Sequence, residues 1–227
     1  MPRTYTVAEM KLRARRLADM ENSSFVGDAE ILDYLNNSYA SLYNLLVTKD
    51  ENYYATTGTV AISSAAVAYA LPSDFYKLLA VEFQVSPDKY VTLKPFNEAE
   101  RNSMNITTAL PTGTLRLRYI PEPVKYSSDS ATVDGISGYE EIIVLDMAIQ
   151  MLAKEESDTS ALERRLSRLN RQIEESSQNR DMLFSGSVSD IYKQQYPTNL
   201  YAMLRYRLYG GNIEVISTEA IAFFTGF

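Results

Sequence analysis

Histidine and cysteine are both missing from the 227 residues. Without cysteine there are no disulfides, no thiolate metal sites and no thiol nucleophile, a composition compatible with assembly in a reducing cytosol. Without histidine the usual general base, the usual zinc ligand and the Ser-His-Asp relay are lost together. No Walker loop, GxGxxG, GxSxG or EF-hand spacing is present, and no repeat of solenoid length. No cofactor and no metal are expected.

Long apolar runs are missing too. The longest, Ala65 to Leu71, is far too short to span a bilayer, and the basic start MPRTYTVAEMKLRARR is followed by no apolar signal region. A soluble chain with no membrane partner is expected. In that setting the sequons at Asn22-Ser23-Ser24 and Asn105-Ile106-Thr107 carry no weight. Positive charge is scarce: 22 Lys and Arg against 29 Asp and Glu leave a net charge of -7. A surface of that sign is not broadly attracted to nucleic acid, so any DNA contact is expected to be local or non-adhesive.

What is present reads as helices around a β-rich middle. Thr6-Val7-Ala8-Glu9 fits a capping box, and Val7, Met10, Ala14 and Leu17 recur on one face of a helix over 7–19. Asp28 is placed to cap a second helix, 28–48, with Ile31, Leu32, Leu35, Tyr39, Leu42, Tyr43 and Leu46 on one side. Between 53 and 121 the residues turn β-branched and aromatic with Gly, Pro, Ser and Asn breaks, the texture of short strands. Gly58–Ile62 and Val67–Leu71 are expected to pair as a hairpin, followed by strands over 79–85, 90–94 and 114–120. A helix over 139–156 is apolar around much of its circumference and needs cover on more than one side.

After a break at Ser157-Asp158-Thr159, a helix over 160–183 carries the narrow stripe Leu162, Leu166, Leu169 and Ile173. Beyond 185, Leu200–Tyr209 and Ile213–Ile216 flank Gly210-Gly211 and are expected to form a hairpin. The expectation is an α+β chain, mainly a bundle of four helices with a small antiparallel β insertion and an extended C-terminal arm. The body is placed at 1–184 and the docking arm or hairpin at 185–227.

Four stretches carry a resemblance. They are Ile31-Leu32-Asp33-Tyr34-Leu35-Asn36-Asn37-Ser38-Tyr39 with Leu42-Tyr43; Tyr69-Ala70-Leu71-Pro72-Ser73-Asp74-Phe75-Tyr76 with Val81-Glu82-Phe83; Leu117-Arg118-Tyr119-Ile120-Pro121-Glu122-Pro123; and Gly138-Tyr139-Glu140-Glu141 through Lys154-Glu155-Glu156-Ser157-Asp158. In this order they cover most of 28–175, and the chain resembles the podovirus-type bacteriophage head-to-tail adaptor, or connector, family. The resemblance implies a structural virion protein of the neck, assembled in the host cytoplasm. It implies a homo-oligomeric ring of 12 copies beneath the portal protein, a tail or nozzle protein below, and passage of double-stranded DNA through the ring during genome ejection. It also implies that the chain is not an enzyme.

Two groups of residues are candidates for partner contact. Tyr201, Arg205, Tyr206, Arg207, Tyr209, Phe223, Phe224 and Phe227 lie in a segment rich in Tyr with an apolar end, suited to docking on portal or a neighbouring subunit. Tyr192 and Tyr196 belong to the same aromatic stretch. Arg164, Arg168 and Arg171 form a basic row opposite the leucine stripe, a candidate inter-subunit or channel row, with a solvated face as the plainer account. Arg205 with Arg207, and Arg116 with Arg118, share strand faces that would suit single-stranded nucleic acid, although edge strands commonly carry charge simply to prevent mispairing.

The adjacent acids Glu140-Glu141, Glu155-Glu156 and Glu174-Glu175 point about 100° apart on a helix and make no acid/base couple. A rival reading, a tail-associated cell-wall hydrolase using two carboxylates, would need no histidine, yet no pair is singled out. A neck or tail-completion protein lower in the same stack is a third.

Overall fold

The computed structural model describes residues 4–63, 68–101, 106–107, 112–133, 136, 138–184 and 204–218. In chain order the elements are β1 (Tyr5–Thr6), α1 (Val7–Leu17), α2 (Asp28–Lys49), β2 (Thr56–Ile62), β3 (Ala68–Ala70), β4 (Phe75–Ser86), β5 (Lys89–Thr92) and β6 (Lys94–Pro95). They continue with α3 (Glu98–Arg101), β7 (Ile106–Thr107), β8 (Gly113–Pro121), β9 (Thr132–Val133), α4 (Glu140–Lys154), α5 (Ser160–Phe184), β10 (Leu204–Tyr209) and β11 (Asn212–Thr218). Two compact units result, one within Met1–Tyr54 and Pro123–Ser187, the other within Ala55–Glu122 and Val188–Phe227. No helix among the described residues is long and apolar enough to cross a membrane.

The first unit is helical, and its elements begin where local chemistry starts them. The Thr6 hydroxyl accepts from the Glu9 amide while the Glu9 carboxylate accepts from the Thr6 amide, the reciprocal box that satisfies helix-start donors. Val7, Met10 and Ala14 are fully buried, as their spacing requires. At α2 the expected cap moves by one residue: Gly27 stands at the N-cap, and Asp28 turns its carboxylate to Arg15 at 3.0 Å. Arg15 also donates to the Ser23 and Val26 carbonyls at 2.8 and 3.0 Å, so one guanidinium holds the whole α1–α2 loop.

Helix α4 packs against α1, α2 and α5, which explains its apolar circumference. Ile143, Leu145, Met147, Ala148 and Met151 are fully buried, each contributing roughly 1.5–3 kcal/mol of hydrophobic stabilisation for the larger side chains. A polar set crosses the α2–α4 contact. Ser38 donates to Asp146 at 2.6 Å, and Gln150 donates to both at 3.0 Å. The Asn36 amide pairs with the Tyr126 backbone at both its N–H and its carbonyl, at 2.8 and 3.0 Å, fixing the segment that returns to the unit.

The second unit has two sheets and a core of its own. One sheet is antiparallel in the order β2-β8-β4-β5; the other runs β3-β11-β10-β6, with β7 also paired to β11. Ile62, Val81, Phe83, Leu115 and Leu117 from the first sheet and Leu204, Ile213 and Val215 from the second form one buried cluster. Gly113 sits where an added Cβ would lie 2.6 Å from the buried Phe83 ring, so this close approach requires glycine.

The expected four-helix bundle with a small insertion is therefore corrected. There are five helices among the described residues, α3 being a single turn closed by Asn97 and Glu100 bonding each other's backbone, and the strands make a substantial unit. The physical reason is that alternating residues from 56–121 and 204–217 have enough apolar surface to build a core without the helices. The hairpin expected between Gly58–Ile62 and Val67–Leu71 is corrected too. β2 pairs with β8 along its whole length and β3 pairs with β11; the Tyr69 hydroxyl returns to the end of β2, bonding the Ser63 N–H and carbonyl at 3.0 and 2.8 Å. The register aligns Gly58, Val60 and Ile62 with Leu117, Leu115 and Gly113 on the core face, which pairing with the short β3 would not do.

Candidate functional site

The hairpin β10–β11 follows from its turn. Gly210 and Gly211 have φ of 54° and 78°, and two consecutive positive φ values are what a two-residue turn matched to strand twist needs. The turn sets Tyr209 opposite Asn212 and Arg207 opposite Glu214. Leu204 and Tyr206 then face the core, and burial raises the Tyr206 pKa, while Arg205 and Arg207 take the other face.

Arg207 is already committed within the chain. It donates to Glu214, pairs with Glu98 at the start of α3, and lies 5.6 and 5.2 Å from the Phe96 and Tyr209 rings. Its side chain is 13% exposed and that of Glu214 8%. Arg205 and Tyr206 are half-buried. The outward-facing part of the hairpin is its tip, Leu208 and Tyr209, the latter 68% exposed. Leu208 was missed by sequence reasoning, although strand alternation runs core positions past the end of the core. Tyr201, Phe223, Phe224 and Phe227 lie outside the described residues, as do Tyr192 and Tyr196.

On α5 the row Arg164, Arg168 and Arg171 is exposed and shares one stretch of surface with Ser160, Glu163 and Ser167. Leu162, Leu166 and Leu169 are half-buried and Ile173 is buried on the side packed to α4, so the two faces separate as periodicity predicts. No salt bridge is formed by these three arginines among the described residues; Glu174 goes to Lys49 at 3.2 Å instead, and Arg165 takes Glu141. The helix start is set by Asp158, which accepts from the Ser160 amide at 3.0 Å; that bond lowers its pKa, with Arg164 adding to the effect. Arg116 pairs with Glu82 and stacks 3.6 Å from the Tyr90 ring centroid, which leaves the β8 basic face largely satisfied internally.

A tyrosine cluster in the helical unit carried no motif that would reveal it. Tyr43 stacks on Tyr54 at 4.2 Å, Tyr53 meets Tyr54 at 4.8 Å, and Tyr39 meets Tyr126 edge-on at 5.2 Å. Burial raises the Tyr39 and Tyr54 pKa values, while burial and a hydrogen bond to Glu30 push Tyr34 up to about 12. These rings are packing elements, each such pair adding about 0.5–1.5 kcal/mol beyond burial. No group of His, Cys, Asp and Glu able to hold a metal occurs among the described residues.

The exposed features among the described residues are the basic face of α5 and the hairpin tip of Leu208 and Tyr209. No curated protein matches the chain. A family model described as SU10 adaptor protein matches residues 5–189.

Proposed function

The chain belongs to the SU10 adaptor protein family, a phage head-to-tail adaptor family, and from that premise we propose that it is one segment of a podovirus-type connector ring of 12 copies. The single observation that carries this reading is the extent of the match, which takes in the whole helical body and the strands from β1 to β9. The role is structural, in the virion neck, with portal protein above and a tail or nozzle protein below.

The exposed row Arg164, Arg168 and Arg171 is assigned to contact with an acidic neighbour in the ring, and the hairpin tip with Phe223, Phe224 and Phe227 to docking on portal or an adjacent copy. Arg207, committed to Glu98 and Glu214, supports that docking surface from within rather than reaching outward. A net charge of -7 per copy suits a conduit that DNA crosses without sticking, since phosphate contacts would slow ejection.

Mixing the purified chain with portal rings tests the reading. Co-sedimentation as a stoichiometric collar visible by electron microscopy is expected. A chain that leaves portal rings bare at micromolar concentration overturns it.

A further inference from the structure

The sheet edges of the second unit differ in a way that points to a strand-accepting site. β5 is four residues long, begins with Lys89 and lies beside an irregular pairing between Gln84 and Ser86. β6 is Lys94–Pro95, and β3 and β7 have three and two residues. Short length, lysine, proline and irregular pairing are the devices by which sheets avoid joining other chains. β2 has none of them. It runs Thr56-Thr57-Gly58-Thr59-Val60-Ala61-Ile62 with no charge and no proline, and all seven residues hold an unbroken register on β8. Among the described residues nothing pairs with its outer side, and Thr57, Thr59 and Ala61 face solvent.

We propose that this edge receives residues 219–227 of a neighbouring copy as an added strand, an inference that rests on the ring reading. The segment Glu219-Ala220-Ile221-Ala222-Phe223-Phe224-Thr225-Gly226-Phe227 has one charge, no proline and an apolar content that needs cover. Alternation sends Ile221, Phe223, Thr225 and Phe227 to one side and Ala220, Ala222, Phe224 and Gly226 to the other. The side with three of the four large residues continues the inward row of Gly58, Val60 and Ile62, and the other, small but for Phe224, lies beside Thr57, Thr59 and Ala61.

Lengths agree: at roughly 3.3 Å per residue the segment reaches about 30 Å against about 23 Å for the edge. Backbone hydrogen bonds supply the affinity of such an addition and the alternating side chains its selectivity. Donor and acceptor are different surfaces of one chain, so the contact is head-to-tail, the kind that closes into a ring.

The absence of cysteine makes the test direct. Full-length chains carrying Thr59→Cys together with, in turn, Ile221→Cys, Ala222→Cys, Phe223→Cys, Phe224→Cys or Thr225→Cys are assembled on portal rings, oxidised and run on non-reducing gels. Covalent multimers are expected at alternate positions only, several-fold above their neighbours. A disulfide closed within one chain, a bond to portal or tail protein through either cysteine, equal bonding at all five positions, or no bond in portal-bound chains each overturns the inference while leaving the adaptor reading intact. An unmodified chain that fails to bind portal removes both.

Discussion

Asp28 shows how much one side chain sets in this protein. The Arg15 hydrogen bond, and then the charge of Lys11, hold its carboxyl below the ordinary 3.8, and Glu9 is held below 4.5 by its bonds to Thr6. A carboxylate with a lower pKa in the folded chain contributes stability that is fully present above its unfolded value. That contribution is lost as pH falls through the folded value. With no histidine to titrate, the denaturation midpoint is expected to stay flat between about pH 5 and 8 and to fall below about pH 4. Asp28→Asn should lower the midpoint at pH 7 and shrink the fall at low pH, read by urea denaturation. A transition centred near pH 6, or an unchanged acid limb in Asp28→Asn, would show that these pairs do not set the profile. The Thr6–Glu9 box was legible because it is local; the Arg15 clamp on the next loop was not, since nothing in helical periodicity says where an off-face arginine will reach.

Among the elements, the β10–β11 hairpin makes a sharper demand. Arg207 and Glu214 are both largely buried and neutralise each other, and Arg207 also pairs with Glu98. Removing one partner from a buried pair costs about 3–5 kcal/mol because it strands the other charge. Arg207→Gln is therefore expected to destabilise the second unit by that amount, and Arg207→Leu with Glu214→Leu to recover much of it, measured as denaturation midpoints. Equal losses in the single and double variants would show that packing, not charge, is what matters there. The hairpin itself was legible from Gly210-Gly211, and its register alone places Arg207 opposite Glu214. The partners of the hairpin were not. β3 and β11 lie more than a hundred residues apart in the chain, and strand pairing over that separation leaves no local periodicity to read. Helices α1, α2, α4 and α5 were readable for the opposite reason, since each carries its own apolar stripe. The bundle expectation failed because the stripes of four helices were visible while the joint core of two distant strand segments was not.

For the whole molecule, the balance of charge decides what assembly must overcome. Each copy carries -7, so neighbouring copies repel unless opposite charges meet locally. Arg164, Arg168 and Arg171 are the place where this acidic chain gathers exposed positive charge along one helix face, and no salt bridge among the described residues uses them. Exposed pairs contribute about 0.2–1 kcal/mol each, so three together are worth about 0.6–3 kcal/mol, or a factor of roughly 3 to 150 in association. Replacing all three with Gln is expected to weaken ring assembly on portal by about tenfold at low salt. Because charges separated by more than about 8 Å are screened at physiological ionic strength, the wild-type chain should also lose affinity as salt rises while the triple variant responds less. Helix α5 keeps its leucine stripe in the variant, so circular dichroism and the denaturation midpoint should remain those of the wild type. Sedimentation with portal rings across a salt series separates the cases. Equal affinity and equal salt slopes for the two proteins would return the row to a solvated face, and would leave the neutral β2 edge and residues 219–227 as the remaining contact with a neighbour.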